Sequence, residues 1–182
     1  GLAAAIAAAE CGDTVTVAEK MDRVGKKILA TGNGRCNLMN TGAPRYPGNA
    51  AFAADVLCYC GAEAQKAFWE HLGLRLRQEE AGRVYPVSSQ ASSVLDALRL
   101  QLTALHVRVV TGVSITALHR ENDGWTALSA DGQRFRANRV IISGGGCARP
   151  KLGSDGSALR LLTNLGCPAT PFAPALTQII TC

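Results

Sequence analysis

Gly1-Leu2-Ala3-Ala4-Ala5-Ile6-Ala7-Ala8-Ala9-Glu10-Cys11-Gly12-Asp13-Thr14-Val15-Thr16-Val17-Ala18-Glu19 sets a small-residue segment against a β-branched one. The alanine-rich part, with Leu2 and Ile6 on one side, predicts a helix able to pack closely on a sheet, and Gly12 predicts its stop. Thr14 to Ala18 predicts a strand, which Glu19 closes. Helix, short turn, strand and terminal acid is the second half of a dinucleotide-binding βαβ unit. In the G-x-G-x-x-G pattern the third glycine opens the helix towards a pyrophosphate, and an acid about 20 residues later meets the ribose hydroxyls. Gly1 and Glu19 take those two places, with the first strand and first two glycines expected upstream. The alternative for Glu19 is an ordinary surface acid at a strand end.

Downstream, Gly25-Lys26-Lys27-Ile28-Leu29-Ala30-Thr31-Gly32-Asn33-Gly34-Arg35-Cys36-Asn37-Leu38-Met39-Asn40 crowds glycine, cation and side-chain amide into a segment suited to neither helix nor strand. Glycines permit positive φ and close backbone approach to a ligand. Lys26, Lys27 and Arg35 add charge, and Asn33, Asn37 and Asn40 add amides, which is the donor set of an anion-holding loop. The competing reading is an exposed Gly/Asn loop with solvated lysines.

The rest of the chain reads as packing around these two stretches. Asn49 predicts an N-cap for a helix through Cys60, with Phe52, Val56 and Leu57 facing inward. A second helix, Ala62 to Leu72, stops at Gly73. Short strands are expected at Leu74 to Arg77 and Arg83 to Pro86 around an acidic turn, with Tyr85 read as core packing and a ligand-facing Tyr85 as the alternative. From Ser89, read as an N-cap, Ala91, Val94, Leu95, Leu98, Leu102 and Leu105 recur at helical spacing. Val107 to Val110 reads as a strand, and three more follow at Val113 to Leu118, Trp125 to Leu128 and Arg134 to Phe135, a small meander inserted into an α/β chain. Arg139-Val140-Ile141-Ile142-Ser143 reads as a buried parallel strand running into Gly144-Gly145-Gly146, where a cofactor could lie against bare backbone. A plain flexible turn is the alternative there. Gly153-Ser154-Asp155-Gly156 precedes a helix that Gly166 stops. Pro168, Pro171 and Pro174 predict an extended connector and a domain boundary.

Composition excludes several classes. At 182 residues, 47% apolar and 18% charged, the chain has the makeup of a globular domain, and no apolar run reaches the ~20 residues of a membrane helix. The formal charge of +5 comes from scattered residues, so it points only weakly to nucleic acid or membrane surface. Seven cysteines at 11, 36, 58, 60, 147, 167 and 182 lack zinc or disulfide spacing and read as reduced cytoplasmic thiols. Cys58 and Cys60 would point about 200° apart on a helix, one into the core and one incidental. His71, His106 and His119 read as satisfied or solvated side chains. The absent initiating Met and the final apolar run, Ile179 to Cys182, read as a piece of a longer protein.

Taken together, the helix from Gly1, Glu19-Lys20, Gly25-Lys26-Lys27 with Gly32-Asn33-Gly34-Arg35-Cys36-Asn37, and Ser143-Gly144-Gly145 resemble the BaiN/RdsA family of FAD-dependent oxidoreductases. Pro150 to Gly156 and Pro174-Ala175-Leu176 resemble it too. The resemblance implies a Rossmann-like FAD-binding domain over residues 1–167, with a parallel sheet and the inserted meander. Residues 168–182 would then form a Pro-rich connector and the start of an inserted substrate domain. It implies that Gly1 faces the pyrophosphate, that Glu19 takes the adenosine ribose with Lys20 beside it, and that Lys27, Gly32, Gly34, Arg35, Cys36 and Asn37 line pyrophosphate and flavin. Val113 would touch adenine through its backbone, and Gly144 and Gly145 would lie along the cofactor. No catalytic residue and no metal ligand is implied.

By the same resemblance the partners are NADH or NADPH as electron donor and, as substrate, a steroid-like enone or a uracil of ribosomal RNA, with no membrane and no obligate protein partner. A flavin-dependent disulfide reductase is the second enzyme reading, but the C-x4-C partner of Cys36 is Thr41. A noncatalytic nucleotide-binding or RNA-binding protein that keeps the fold is the reading from another class.

Overall fold

The computed structural model describes residues 1–42, 46 and 49–172. In chain order they form α1 (Leu2–Glu10), β1 (Thr16–Ala18), α2 (Lys26–Leu29), a 3-10 turn (Thr31–Gly34), β2 (Met39–Asn40), α3 (Ala50–Tyr59) and α4 (Ala62–His71). Then come β3 (Leu76–Gln78), β4 (Arg83–Pro86), α5 (Ala91–Ala104), β5 (Arg108–Val110), β6 (Ile115–Glu121), β7 (Gly124–Ser129), β8 (Arg134–Ala137) and α6 (Ser157–Asn164). Strand β1 pairs with β5, and the bonds Arg108 N–H to Val15 O and Glu19 N–H to Val110 O ascend together along both strands, so the pair is parallel. The α/β class, with a parallel pairing and an antiparallel meander, is as the sequence predicts.

The described residues pack as two units. One holds Leu2–Val17 and Val24–Val109. Its core is the apolar stripe of α5, Ala91, Val94, Leu95, Leu98 and Leu102, all buried. Helices α1 and α2 pack on α5, with Ile6 wholly withdrawn from water. Burying one such side chain contributes roughly 1.5–3 kcal/mol, more than the helix propensity of any single residue, so the stripe fixes how α1 docks. A three-stranded antiparallel sheet, order β2-β4-β3, completes this unit. Its register puts Met39 opposite Val84 and Val84 opposite Gln78 on one face, and Arg77 opposite Tyr85 on the other.

The second unit holds Gly1, Ala18–Arg23 and the described residues from Val110 on. Its meander runs in the order β6-β7-β8 with an irregularity between Ile115 and Ala117. Helix α6 packs on β6, and Ala158 and Val113 are buried. Leu118, Trp125, Val140, Ile142, Leu162 and Leu165 surround a cavity of about 180 Å³.

Several local expectations are corrected. Arg139 to Ser143 is no strand: among the described residues it has no ladder partner, and Ile141 is 65% exposed. Val140 and Ile142 turn into the cavity, but β-branched composition without a neighbour's hydrogen bonds does not make a sheet strand. Phe52 and Val56 face solvent rather than inward, because α3 has no buried residue, although Asn49 does cap it through the Phe52 N–H. Cys58 and Cys60 are both exposed, and among the described residues Cys36 is the buried thiol. Ser89 is no cap: it has φ +53, and Gln90 takes the N-cap position without a side-chain bond. The stretch from Gly25 is more regular than its composition predicts, since α2 and the 3-10 turn occupy half of it. Pro174, the Ile179 to Cys182 run and most of the predicted connector lie outside the described residues.

Candidate functional site

The predicted site residues fall into two clusters, one in each unit. In the unit that holds the meander, Glu19 ends β1, donating its N–H to Val110 O and accepting the Val113 N–H, 2.9 Å, on its carbonyl. Its Oε1 accepts the Met21 N–H at 2.8 Å, which fixes the carboxylate's orientation, while Oε2 has no hydrogen-bond partner among the described residues. The commitment of the Val113 N–H leaves the carbonyl as the backbone group of that residue able to meet a base. Lys20 pairs with Asp155, whose Oδ1 also accepts the Ser157 N–H at the start of α6. That ammonium, and then the N–H, hold the Asp155 carboxyl well below the usual carboxylate range. Gly1 lies beside Ser143: a Cβ on it would stand 3.6 Å from the Ser143 Cβ. Gly144 needs its bare backbone, since a Cβ there would come within 2.7 Å of the Ala158 Cβ. Gly145 has φ +79, and Gly146 O accepts the Gly156 N–H, so the triglycine run lies against the start of α6.

In the other unit, the box turns through a run of left-handed residues: Gly32 at φ +54, Asn33 at +52, Gly34 at +82 and, after Arg35, Cys36 at +57. Gly32 is forced to be glycine, because a Cβ would sit 2.7 Å from the Asn37 backbone nitrogen. Bonds from Arg35 N–H to Gly32 O and from Cys36 N–H to Thr31 O close the turn, and the buried Cys36 side chain anchors it in the α5 core. Gly32, Asn33, Gly34 and Asn37 stay exposed, and the two amide side chains have no partner among the described residues. Lys27 is half-buried on α2. Arg35, its side chain 36% exposed, is held in place rather than freely solvated: its Nη2 donates to Glu79 Oε1, and its guanidinium carbon stands 4.1 Å from the centroid of the Tyr85 ring. That bond raises the guanidinium's pKa and lowers the carboxyl's.

These residues fit a dinucleotide in each cluster taken by itself. Backbone at Gly34 faces open space, with nothing within 4 Å of where a Cβ would lie, and unpartnered amides flank it. A strand-end acid with one fixed oxygen suits ribose hydroxyls. The sequence reading missed Glu79, Arg77 and Asp155. Gly153 to Gly156 ahead of a helix is a visible signal for a capping acid at Asp155, but Glu79 lies 44 positions from Arg35, and no local pattern pairs them.

The α1 helix, the parallel β1–β5 pair, the acid after β1 and the bare-backbone glycine turns together define a Rossmann-like α/β protein. Residues 1–174 match the family model described as the HI0933-like protein Rossmann domain, and the chain belongs to that family. It is 45% identical to the 3-dehydro-bile acid delta(4,6)-reductase of Clostridium scindens over 98% of this chain and 44% of that protein. It is 23% identical to the ribosomal RNA dihydrouridine synthase of Haemophilus influenzae, over 94% of this chain and 44% of that protein. The chain thus spans less than half the length of the curated relatives it matches. Among solved structures, NikD, an unusual amino acid oxidase, overlays 91% of this chain and 51% of its own at 17% identity and TM-score 0.44.

Proposed function

We propose that this chain is part of an FAD-dependent oxidoreductase that uses NADH or NADPH to reduce a C=C bond conjugated to a carbonyl, in a steroid-like enone or in a uracil of ribosomal RNA. The observation that carries the reading is the box from Gly32 to Asn37, with its left-handed bare backbone, exposed amides and anchored Arg35. The 45% identity to a reductase of a bile acid supports the enone over the uracil. When bound, FAD supplies the hydride that adds to the carbon β to the carbonyl, which is the hard step of such a reduction.

The chain's own residues bind and orient. Glu19, with one oxygen held by the Met21 N–H, offers the other to the ribose hydroxyls. Gly32 and Gly34 let a phosphate approach the backbone, Asn33 and Asn37 donate from their amides, and Arg35 supplies charge at a fixed place. Gly144 and Gly145 keep side chains away from the cofactor's path.

Purified full-length protein, of which this chain is a part, is expected to be yellow, or to turn yellow on incubation with FAD, and to bleach when NADH or NADPH is added without oxygen, whereas this chain by itself is expected to be inactive. Colour should return on adding a steroid enone. Protein that stays colourless after reconstitution would sink the flavoprotein reading and favour a noncatalytic nucleotide-binding role. Return of colour with ribosomal RNA but not the enone would move the substrate to the uracil.

A further inference from the structure

We propose that Glu79 and Tyr85 are positioning residues of the cofactor box, holding the Arg35 guanidinium in place before any ligand arrives; the proposal rests on the flavoprotein reading above. One hairpin supplies the whole device. Glu79 lies between β3 and β4, Tyr85 lies on β4 at the centre of its sheet, and Arg77 lies opposite Tyr85 on β3. Glu79 Oε1 accepts from Arg35 Nη2 and from Arg77 Nη2, the latter at 2.8 Å, and Arg77 Nη2 also reaches Ser89 Oγ at 2.9 Å. Tyr85 is buried, so its ring is a fixed floor beneath the guanidinium. The edge of the same ring supports the turn, standing 3.5 Å from where a Cβ on Gly32 would be.

Two consequences follow from charge and geometry. Arg35 and Arg77 bring two positive charges to one carboxylate, so the group keeps a net positive charge and attracts an anion. Glu79 engages a single nitrogen of Arg35, and a guanidinium has five N–H donors in a planar fork, so donors remain for a phosphate. An unsupported arginine loses rotamer freedom when it binds; here stacking and pairing restrict it during folding instead. The opposite role, Glu79 as a competitor that must release Arg35 to the ligand, predicts the opposite sign and is tested by the same titration.

The test is a double-mutant cycle read as FAD dissociation constants from flavin fluorescence, with melting of the FAD-free proteins followed in parallel. Glu79→Ala is expected to weaken FAD roughly tenfold, and Glu79→Asp to recover part of the loss. Tyr85→Phe keeps the ring and should bind FAD as wild type does, whereas Tyr85→Leu should not. In an Arg35→Ala background, itself weakened, Glu79→Ala should cost nothing further, because it acts through Arg35. An equal loss in both backgrounds makes Glu79 merely structural, and unchanged or tighter binding makes it a competitor; either overturns the proposal. Wild-type full-length protein that binds no FAD overturns the flavoprotein reading along with it, whereas full-length wild-type binding with an unaffected Glu79→Ala overturns the positioning role alone.

Discussion

Gly32 and Gly34 sit two positions apart in the same turn, yet they answer to different constraints. Gly32 combines φ +54 with a backbone nitrogen 2.7 Å from any Cβ, while Gly34 has φ +82 and open space around it. Gly32→Ala is therefore expected to destabilise the protein by about 1–3 kcal/mol, through left-handed strain plus displacement of Asn37. Gly34→Ala should cost about 1 kcal/mol in stability but weaken FAD more than it weakens the fold, since its added methyl enters the space a ligand would use. Urea unfolding and FAD titration of both variants check this, and equal effects of the two on FAD would show that Gly34 faces solvent only. The exposure of Asn33, set between two glycines, was legible in the sequence. The stacking of Arg35 on Tyr85 was not, because it joins residues that only the fold brings together.

Among the elements, α5 and α3 show how far an apolar pattern can be trusted. The five residues of the α5 stripe recur at helical spacing, and all are buried. In α3 the apolar residues are nearly continuous and carry no periodicity that selects a face, so composition alone wrongly predicted burial of Phe52, which is 65% exposed. Leu98→Ala is expected to cost about 2–5 kcal/mol as a cavity in a packed core, and Phe52→Ala less than about 0.5 kcal/mol. Comparable losses in thermal melts would mean that α3 is covered in solution. The Arg139 to Ser143 segment teaches the same lesson for strands. Its side chains alternate, with Val140 and Ile142 lining the cavity and Ile141 outside, but Val140 itself stays 37% exposed; a strand is defined by a partner, and a sequence window contains none.

At the scale of the molecule, paired carboxylates make stability depend on pH. Asp155 is held low by Lys20, Glu79 by Arg35 and Glu10 by His71, so each gives up its proton more readily in the folded than in the unfolded chain. Stability from such groups is complete above about pH 5 and is lost as pH falls from about 4 through each lowered value. Asp155→Asn removes one of these groups, and its melting temperature should vary less between about pH 5 and pH 3 than that of the wild type. Parallel pH profiles would assign the acid sensitivity to Glu79 and Glu10 instead. At this scale, too, no helix among the described residues is long and apolar enough to cross a membrane.

The sequence by itself determined the elements whose information is local: the α1 to β1 unit ending in Glu19, the α5 stripe, the meander and the glycine box. Each is written in a period, a cap or a backbone requirement that spans a few residues. Only the tertiary structure decided which charges are spoken for, tying Lys20 to Asp155 across 135 positions and Arg35 to Glu79 across 44. The physical reason is that an ion pair depends on distance in space, and space between remote residues is set by how the cores pack. What the sequence offered as an anion-holding loop of cations and amides is in the folded chain a turn whose arginine is already held.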